Sequence, residues 1–162
     1  MKILALVLLI ASLSFAEDIK VFAIVKGKVL KLHVKEGQRV KRGQLLMEID
    51  PSLYLAQKKS LEGKKKEIEA RLWKVERDYN RLKELFERDL LAETRLENQK
   101  ISYDTLKAQI QQVEGEIERI DTLISYTKIT APISGRVKKL LIHEGSYVNG
   151  TFIPQVVILL SR

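Results

Sequence analysis

Two histidines, His33 and His143, are the only imidazoles in this 162-residue chain, and there is no cysteine. Without a thiol there is no disulfide, no thiolate nucleophile and no sulfur ligand set for a metal. A histidine acting as base or ligand needs a nucleophile, an acid or further ligands beside it. His33 instead shares an alternating wet face with Lys31 and Lys35, and His143 lies among polar neighbours, so both read as exposed structural histidines. Between residues 51 and 127 the carboxylates recur three or four places from lysines and arginines, which is ion pairing along solvated helices. There is no glycine-rich phosphate loop and no clustered ligand set. These residue types predict a protein that is not an enzyme, with no catalytic residue, no bound cofactor and no metal.

The formal charge is +8, and it is unevenly placed. Residues 51–127 hold 15 basic and 15 acidic side chains, whereas residues 17–50 and 128–162 together hold 13 basic against 6 acidic. A basic body with a neutral middle favours an anionic membrane surface or an acidic partner; a merely soluble surface is the other reading. Aromatics are only 6%, and with the export signal described next this argues against nucleic acid as a partner.

The elements that position these residues fall into four stretches. Residues 1–16 carry Lys2, an apolar run from Ile3 to Ala11 and the small residues of Ser14-Phe15-Ala16, which predict a cleavable signal peptide and a mature chain beginning at Glu17. A retained anchor is the alternative, and the run is shorter than the roughly 20 apolar residues a span requires. Residues 17–50 read as short strands: Val21 to Val25, then Leu30, Leu32 and Val34 in alternation, then "QLLMEI". Val29 and Leu32 cannot share a face of a regular strand, so a bulge is expected near Leu30.

At Asp50-Pro51, a good cap followed by a good first helical residue, the period changes to seven. Leu61, Ile68, Leu72, Val75, Tyr79, Leu82 and Phe86 form one seam, and Leu96, Tyr103, Leu106, Ile110, Val113, Ile117, Ile120 and Ile124 form another, with Gln99 in its polar slot. Spacing of three and four, sustained for about four heptads each, predicts two long helices. Thr94 followed by Glu97 has the form of a capping box opening the second. The short connection makes the helices an antiparallel hairpin over residues 51–127, with Leu82 near Gln99, Val75 near Leu106 and Ile68 near Val113. Lys58 and Lys65 fall on the seam, with Gly63 and Gly115 at neighbouring heights. This reads either as a looser base or as ordinary variation. Residues 128–162 return to strands.

The two β stretches repeat one phrase. "GKVLKLHVKEGQRV" starts at Gly27 and "GRVKKLLIHEGSYV" at Gly135, 108 positions later. They agree at Gly27/Gly135, Val29/Val137, Leu32/Leu140, Glu36/Glu144, Gly37/Gly145 and Val40/Val148. A half-unit with one apolar face cannot stand alone, but two close on each other across a pseudo-two-fold axis. Residues 17–50 and 128–162 are therefore expected to be halves of one β-domain. A hairpin is the insertion this allows, because its two ends lie together.

With "TKITAPISGRV" from Thr127, this arrangement resembles the periplasmic adaptor family, the HlyD-like membrane fusion proteins of efflux pumps and type I secretion. The family form T-x-I-x-A-P-x-x-G-x-V falls on Thr127, Ile129, Ala131, Pro132, Gly135 and Val137. The resemblance covers essentially all of the chain after residue 16. It implies an α+β fold: a split biotinyl/lipoyl-like β-sandwich, or barrel-sandwich hybrid, with an inserted antiparallel coiled-coil hairpin. The family's tip motif, R-x-x-x-L followed seven residues on by serine, matches Arg81 and Leu85 but meets Ala92 at the serine, and the cap is expected at Thr94. The tip residues Arg81, Leu85, Leu90, Leu91, Ala92 and Thr94 are then expected to bind a partner. Leu90 and Leu91 have two readings: caps folded back on Phe86 and Leu96, or a docking surface.

The resemblance implies a periplasmic subunit, exported and homo-oligomeric, that bridges an inner-membrane transporter and an outer-membrane channel. The sequence ends at Arg162, where such adaptors usually continue into a β-barrel, so the usual contact with the transporter is expected to be either missing or supplied by another chain. No lysine stands in "LLMEID" where a lipoyl or biotinyl carrier would put one. A stand-alone envelope scaffold or regulatory coiled-coil protein is the alternative function.

Overall fold

The computed structural model describes residues 18–162. The expected signal peptide, residues 1–16, lies outside the described residues. Eight strands and two helices follow in order: β1 (Ile19–Ala23), β2 (Lys26–Leu32), β3 (Arg39–Val40), β4 (Leu45–Ile49), α1 (Ser52–Phe86), α2 (Glu93–Ser125), β5 (Lys128–Thr130), β6 (Gly135–Leu140), β7 (Tyr147–Asn149) and β8 (Gln155–Ser161). The strands make two four-stranded antiparallel sheets, ordered β1-β8-β6-β3 and β5-β4-β2-β7. Replace each strand by its counterpart in the other half, β1 by β5, β2 by β6, β3 by β7 and β4 by β8, and one order becomes the other. Each sheet therefore contains strands from both ends of the chain. Val21, Val29 and Val40 from the first half pack with Val137, Val148 and Leu160 from the second in one buried core.

The repeated letters have matching physical jobs. The β2–β4 register shifts between Val29 and Lys31, and the β6–β8 register shifts between Val137 and Lys139, at equivalent positions. The bulge turns Leu30 outward, half of it exposed, so the expected inward alternation of Leu30, Leu32 and Val34 fails at its first member. Gly37 and Gly145 take left-handed φ of 82° and 85° in equivalent turns. Glycine is needed at position 27 because an added Cβ would lie 2.6 Å from Ile49 Cγ2 and 3.0 Å from the Asp50 carbonyl. At Gly135 the Ser161 carbonyl oxygen blocks the same place.

The hairpin seams are where the spacing puts them. Every seam position from Leu61 to Phe86 and from Leu96 to Ile124 is buried or half-buried, whereas the residues between are mostly exposed. Tyr79 stacks on Tyr103 with ring centroids 5.6 Å apart and planes 11° from parallel. Gln99 does not stop at Leu82: its side-chain amide donates to the Val75 carbonyl oxygen at 3.1 Å, which satisfies the polar slot against backbone. Lys65 pairs with Glu114 at 2.6 Å and Lys58 with Asp121 at 2.7 Å, so the two seam lysines are neutralised across the hairpin while Tyr54, Leu61 and Ile120 pack at its base.

The hairpin is fixed to the sandwich at its base. The Asp50 carboxylate accepts the Ser52 hydroxyl and, at 2.9 Å, the Ser52 backbone N–H; the hydroxyl bond first and the backbone bond second hold its pKa below the ordinary aspartate value. Buried Tyr54 accepts the Lys26 N–H through its hydroxyl at 3.0 Å, tying the first turn of α1 to the start of β2. Buried Thr127 returns its hydroxyl to the Ile124 carbonyl at 2.7 Å, and its own carbonyl accepts the Ile49 N–H at 2.8 Å. Among the described residues no helix is long and apolar enough to cross a membrane.

Candidate docking site at the hairpin tip

α1 ends in a backbone lock. The Leu90 N–H donates to the Leu85 carbonyl at 2.9 Å and the Asp89 N–H to the Phe86 carbonyl, also at 2.9 Å. This pair of bonds closes a helix on one left-handed residue, which is usually glycine. Here it is Asp89, at φ 60°. A short polar side chain tolerates that conformation better than most, which is how a tip rich in leucine and arginine still reverses direction.

α2 opens without the expected capping box. Its N-cap is Ala92, with extended backbone and no side-chain hydrogen bond, and the helix begins at Glu93. Thr94 is therefore already inside the first turn and exposed, where its hydroxyl is past the place from which it would cap. The Arg95 N–H takes the Ala92 carbonyl at 3.0 Å, and Glu93 places a carboxylate near the positive end of the helix.

The six sequence-predicted tip residues thus occupy different environments. Leu85 and Leu91 are half-buried at the end of the seams, while Leu90 is 68% exposed. Ala92 and Thr94 are exposed beside it. Arg81 stands over two turns below on α1, pointing to solvent near Asp78 at 3.4 Å. The leucine pair therefore divides: Leu91 is half-buried and Leu90 faces out.

The structure adds residues that periodicity overlooks because they lie off the seam. Trp73 is 64% exposed on α1 with the Arg77 guanidinium carbon 4.9 Å from its ring centroid, and Ile101 is 63% exposed on α2. On the sandwich, His33 Nε2 meets Glu48 Oε1 at 2.6 Å across β2 and β4, with no third partner in that contact. Among the described residues no group of three or more His, Cys, Asp or Glu stands together to hold a metal. The tip offers shape, an apolar knob and exposed charge, which is chemistry for binding a protein surface.

Residues 17–159 match the family model described as the barrel-sandwich hybrid domain of RND membrane fusion proteins. The chain is 35% identical over 144 residues to the multidrug resistance protein MdtA of Yersinia pestis (strain Pestoides F), covering 88% of this chain and 32% of that protein. It is also similar to the crystal structure of MacA from Actinobacillus actinomycetemcomitans, with 31% identity, a TM-score of 0.75 and 88% of this chain against 48% of that one. A putative efflux transporter from Bacteroides eggerthii DSM 20697 superposes with 27% identity and a TM-score of 0.65 over 90% of this chain and 40% of its own. The chain spans about a third of the length of the curated relatives it matches.

Proposed function

This chain belongs to the RND membrane fusion protein family, matching it through the barrel-sandwich hybrid domain, and from that membership we propose that it is an adaptor subunit of an efflux assembly in the periplasm. It links an inner-membrane transporter to an outer-membrane channel by bridging, and it makes and breaks no covalent bond. Copies pack side by side into a ring, with the hairpins pointing toward the channel. Arg81, Leu85, Leu90, Leu91, Ala92 and Thr94 form the channel-facing contact.

The observation that carries this reading is the exposure of Leu90 on a tip whose backbone is locked. A leucine that is 68% exposed contributes little to its own fold, yet the bonds through Leu85 and Phe86 hold it in one place. A preorganised apolar knob costs little entropy to dock. The test is a photo-crosslinking residue at position 90 in growing cells, followed by mass spectrometry of the adduct. An outer-membrane channel is the expected partner. Adducts only with a coiled-coil envelope protein unconnected to transport would replace the adaptor reading with that of a scaffold.

A further inference from the structure

Along the middle of the hairpin each helix keeps one large apolar side chain out of the seam, Trp73 on α1 and Ile101 on α2, both more than half exposed. Both lie on the side turned away from the other helix. The helical period places Trp73, Arg77, Asn80 and Glu84 opposite the seam residues Leu72, Val75 and Tyr79, and it places Ile101, Asp104 and Ala108 opposite Tyr103, Leu106 and Ile110. These are the two outer flanks of the hairpin, one on each side. On the first, Trp73 and Glu84 bound a shallow groove, and the Arg77 guanidinium lies over the Trp73 ring. On the second, Ile101 is a knob, and Ala108, two turns nearer the base, leaves a flat place.

Charge says which flank meets which. α1 holds ten basic and six acidic side chains, and α2 holds four basic and seven acidic. An α1 flank laid on an α2 flank is therefore attractive. Two α1 flanks would set Arg77 against Arg77, and two α2 flanks Asp104 against Asp104, which is repulsive. Height agrees with charge. The cross-hairpin contacts of Lys58 with Asp121, Lys65 with Glu114 and Glu76 with Tyr103 share one register. Carried along the hairpin, that register sets Ile101 level with Asp78, midway along the groove from Trp73 to Glu84. It sets Asp104 within about 3 Å of the height of Arg77, and Ala108 within about 3 Å of the height of Trp73. Copies related by rotation about an axis along the hairpin touch at equal heights, so the three matches come into register together.

We propose that the two flanks bind each other between copies of this chain: Ile101 of one copy seats in the groove between Trp73 and Glu84 of the next, with Asp104 against Arg77 and Ala108 beneath the Trp73 ring. The contact joins unlike faces, so it passes from copy to copy instead of stopping at a dimer. The inference deepens the adaptor reading and rests on its side-by-side packing, for which it names the residues and the order of the helices.

The chain has no cysteine, which makes disulfide trapping a clean test. Asn80→Cys and Ile101→Cys are made in the full chain, together and separately, and the purified proteins are treated with a mild oxidant and resolved on non-reducing gels. The two positions lie on opposite flanks, so the thiols of one chain cannot meet. The double variant should give a ladder that runs beyond the dimer, and each single variant should stay monomeric. Dimers from either single variant in the yield of the double variant would show like flanks meeting and would overturn the proposal; so would a double variant that stays monomeric. Sedimentation equilibrium of the cysteine-free chain measures the strength. Association should weaken with added salt. Arg77→Glu or Asp104→Arg alone should weaken it about fivefold, and the two together should restore it. Trp73→Ala should weaken it roughly thirtyfold. Failure of the charge swap to restore association, with melting curves unchanged, would reject the pairing of Arg77 with Asp104. Position-90 crosslinking reads the tip alone, so a channel adduct without the ladder would leave the adaptor reading standing and remove this interface.

Discussion

The Glu36 carboxylate accepts the Leu140 backbone N–H at 2.8 Å, and Leu140 belongs to the other half of the repeat. The reciprocal bond, Glu144 to the Leu32 N–H, has the same length. Each half thus supplies the acceptor that the bulged strand of the other half lacks. Replacing Glu36 or Glu144 by alanine should cost about 1 kcal/mol each, and the two losses should be alike. Urea denaturation followed by circular dichroism measures this. A large loss for one and none for the other would show that the halves are not energetically equivalent.

The glycines divide into two kinds. Gly63 and Gly115 sit on the hairpin with open space around the position a Cβ would take. Alanine at either should raise stability by about 1 kcal/mol, roughly 2–4 °C in melting temperature. Gly27→Ala and Gly135→Ala should each lower it by about 1–3 kcal/mol, because their Cβ atoms collide with Ile49 or with the Ser161 carbonyl. Gly135→Ala should be the worse of the two, since the obstacle is backbone.

Asp89 holds the left-handed position that ends α1. Asp89→Gly should stabilise the hairpin by about 1 kcal/mol, and Asp89→Val should destabilise it by more. Thermal melting at 222 nm decides, and equal effects would mean that the tip does not need this conformation.

The paired seam lysines make a pH prediction. The hydrogen bond that Lys65 donates to Glu114 holds the Lys65 pKa above the usual lysine value, and the one Lys58 donates to Asp121 does the same for Lys58. A raised folded pKa means that the pair contributes its full stability below about pH 10.4 and loses it as pH rises through the folded value. The wild-type melting temperature should therefore fall above that pH. Lys58→Met with Lys65→Met should remove this part of the alkaline loss without lowering stability at pH 7, since apolar side chains fit a half-buried seam.

Leu90→Asp should leave the melting temperature within the range of an ordinary surface substitution, about 0.5 kcal/mol. Leu91→Asp should cost about 1 kcal/mol or more, because that side chain is half-buried. Loss of position-90 crosslinking and of efflux with a normal melting curve would support docking through Leu90. Retention of both would remove Leu90 from the contact.

The seams were legible because apolar residues at three and four spacing have one physical solution. The same pattern carries one heptad further than expected, to Tyr54, seven before Leu61, and Tyr54 is where the hairpin is tied to β2. The repeat announced a two-fold, and its glycines and glutamates are explained by the paired contacts. The ends of the hairpin were less legible. Thr94 and Glu97 have the letters of a capping box, but a helix start depends on where the preceding turn releases the chain. The lock at Asp89 releases it so that Glu93 comes first. That Arg39 lies opposite Arg136 across β3 and β6 was invisible for a related reason: 97 positions separate them, and only strand pairing makes them neighbours.

The interleaving of the two halves also sets a timetable. Among the described residues β1 finds its ladder partner in β8, and β3 in β6, so the sheet β1-β8-β6-β3 does not exist until the last strand has emerged. Seventy-eight positions, from Asp50 to Lys128, separate the halves. At about 5–20 residues per second β4 waits roughly 4–16 s for β5, and β1 and β3 wait longer for β8 and β6. The hairpin forms from local contacts and can complete itself in that interval, which brings the strand ends together before they pair. The newborn chain thus spends seconds with unpaired strand edges, and that interval is when it most depends on whatever shields such edges from other chains.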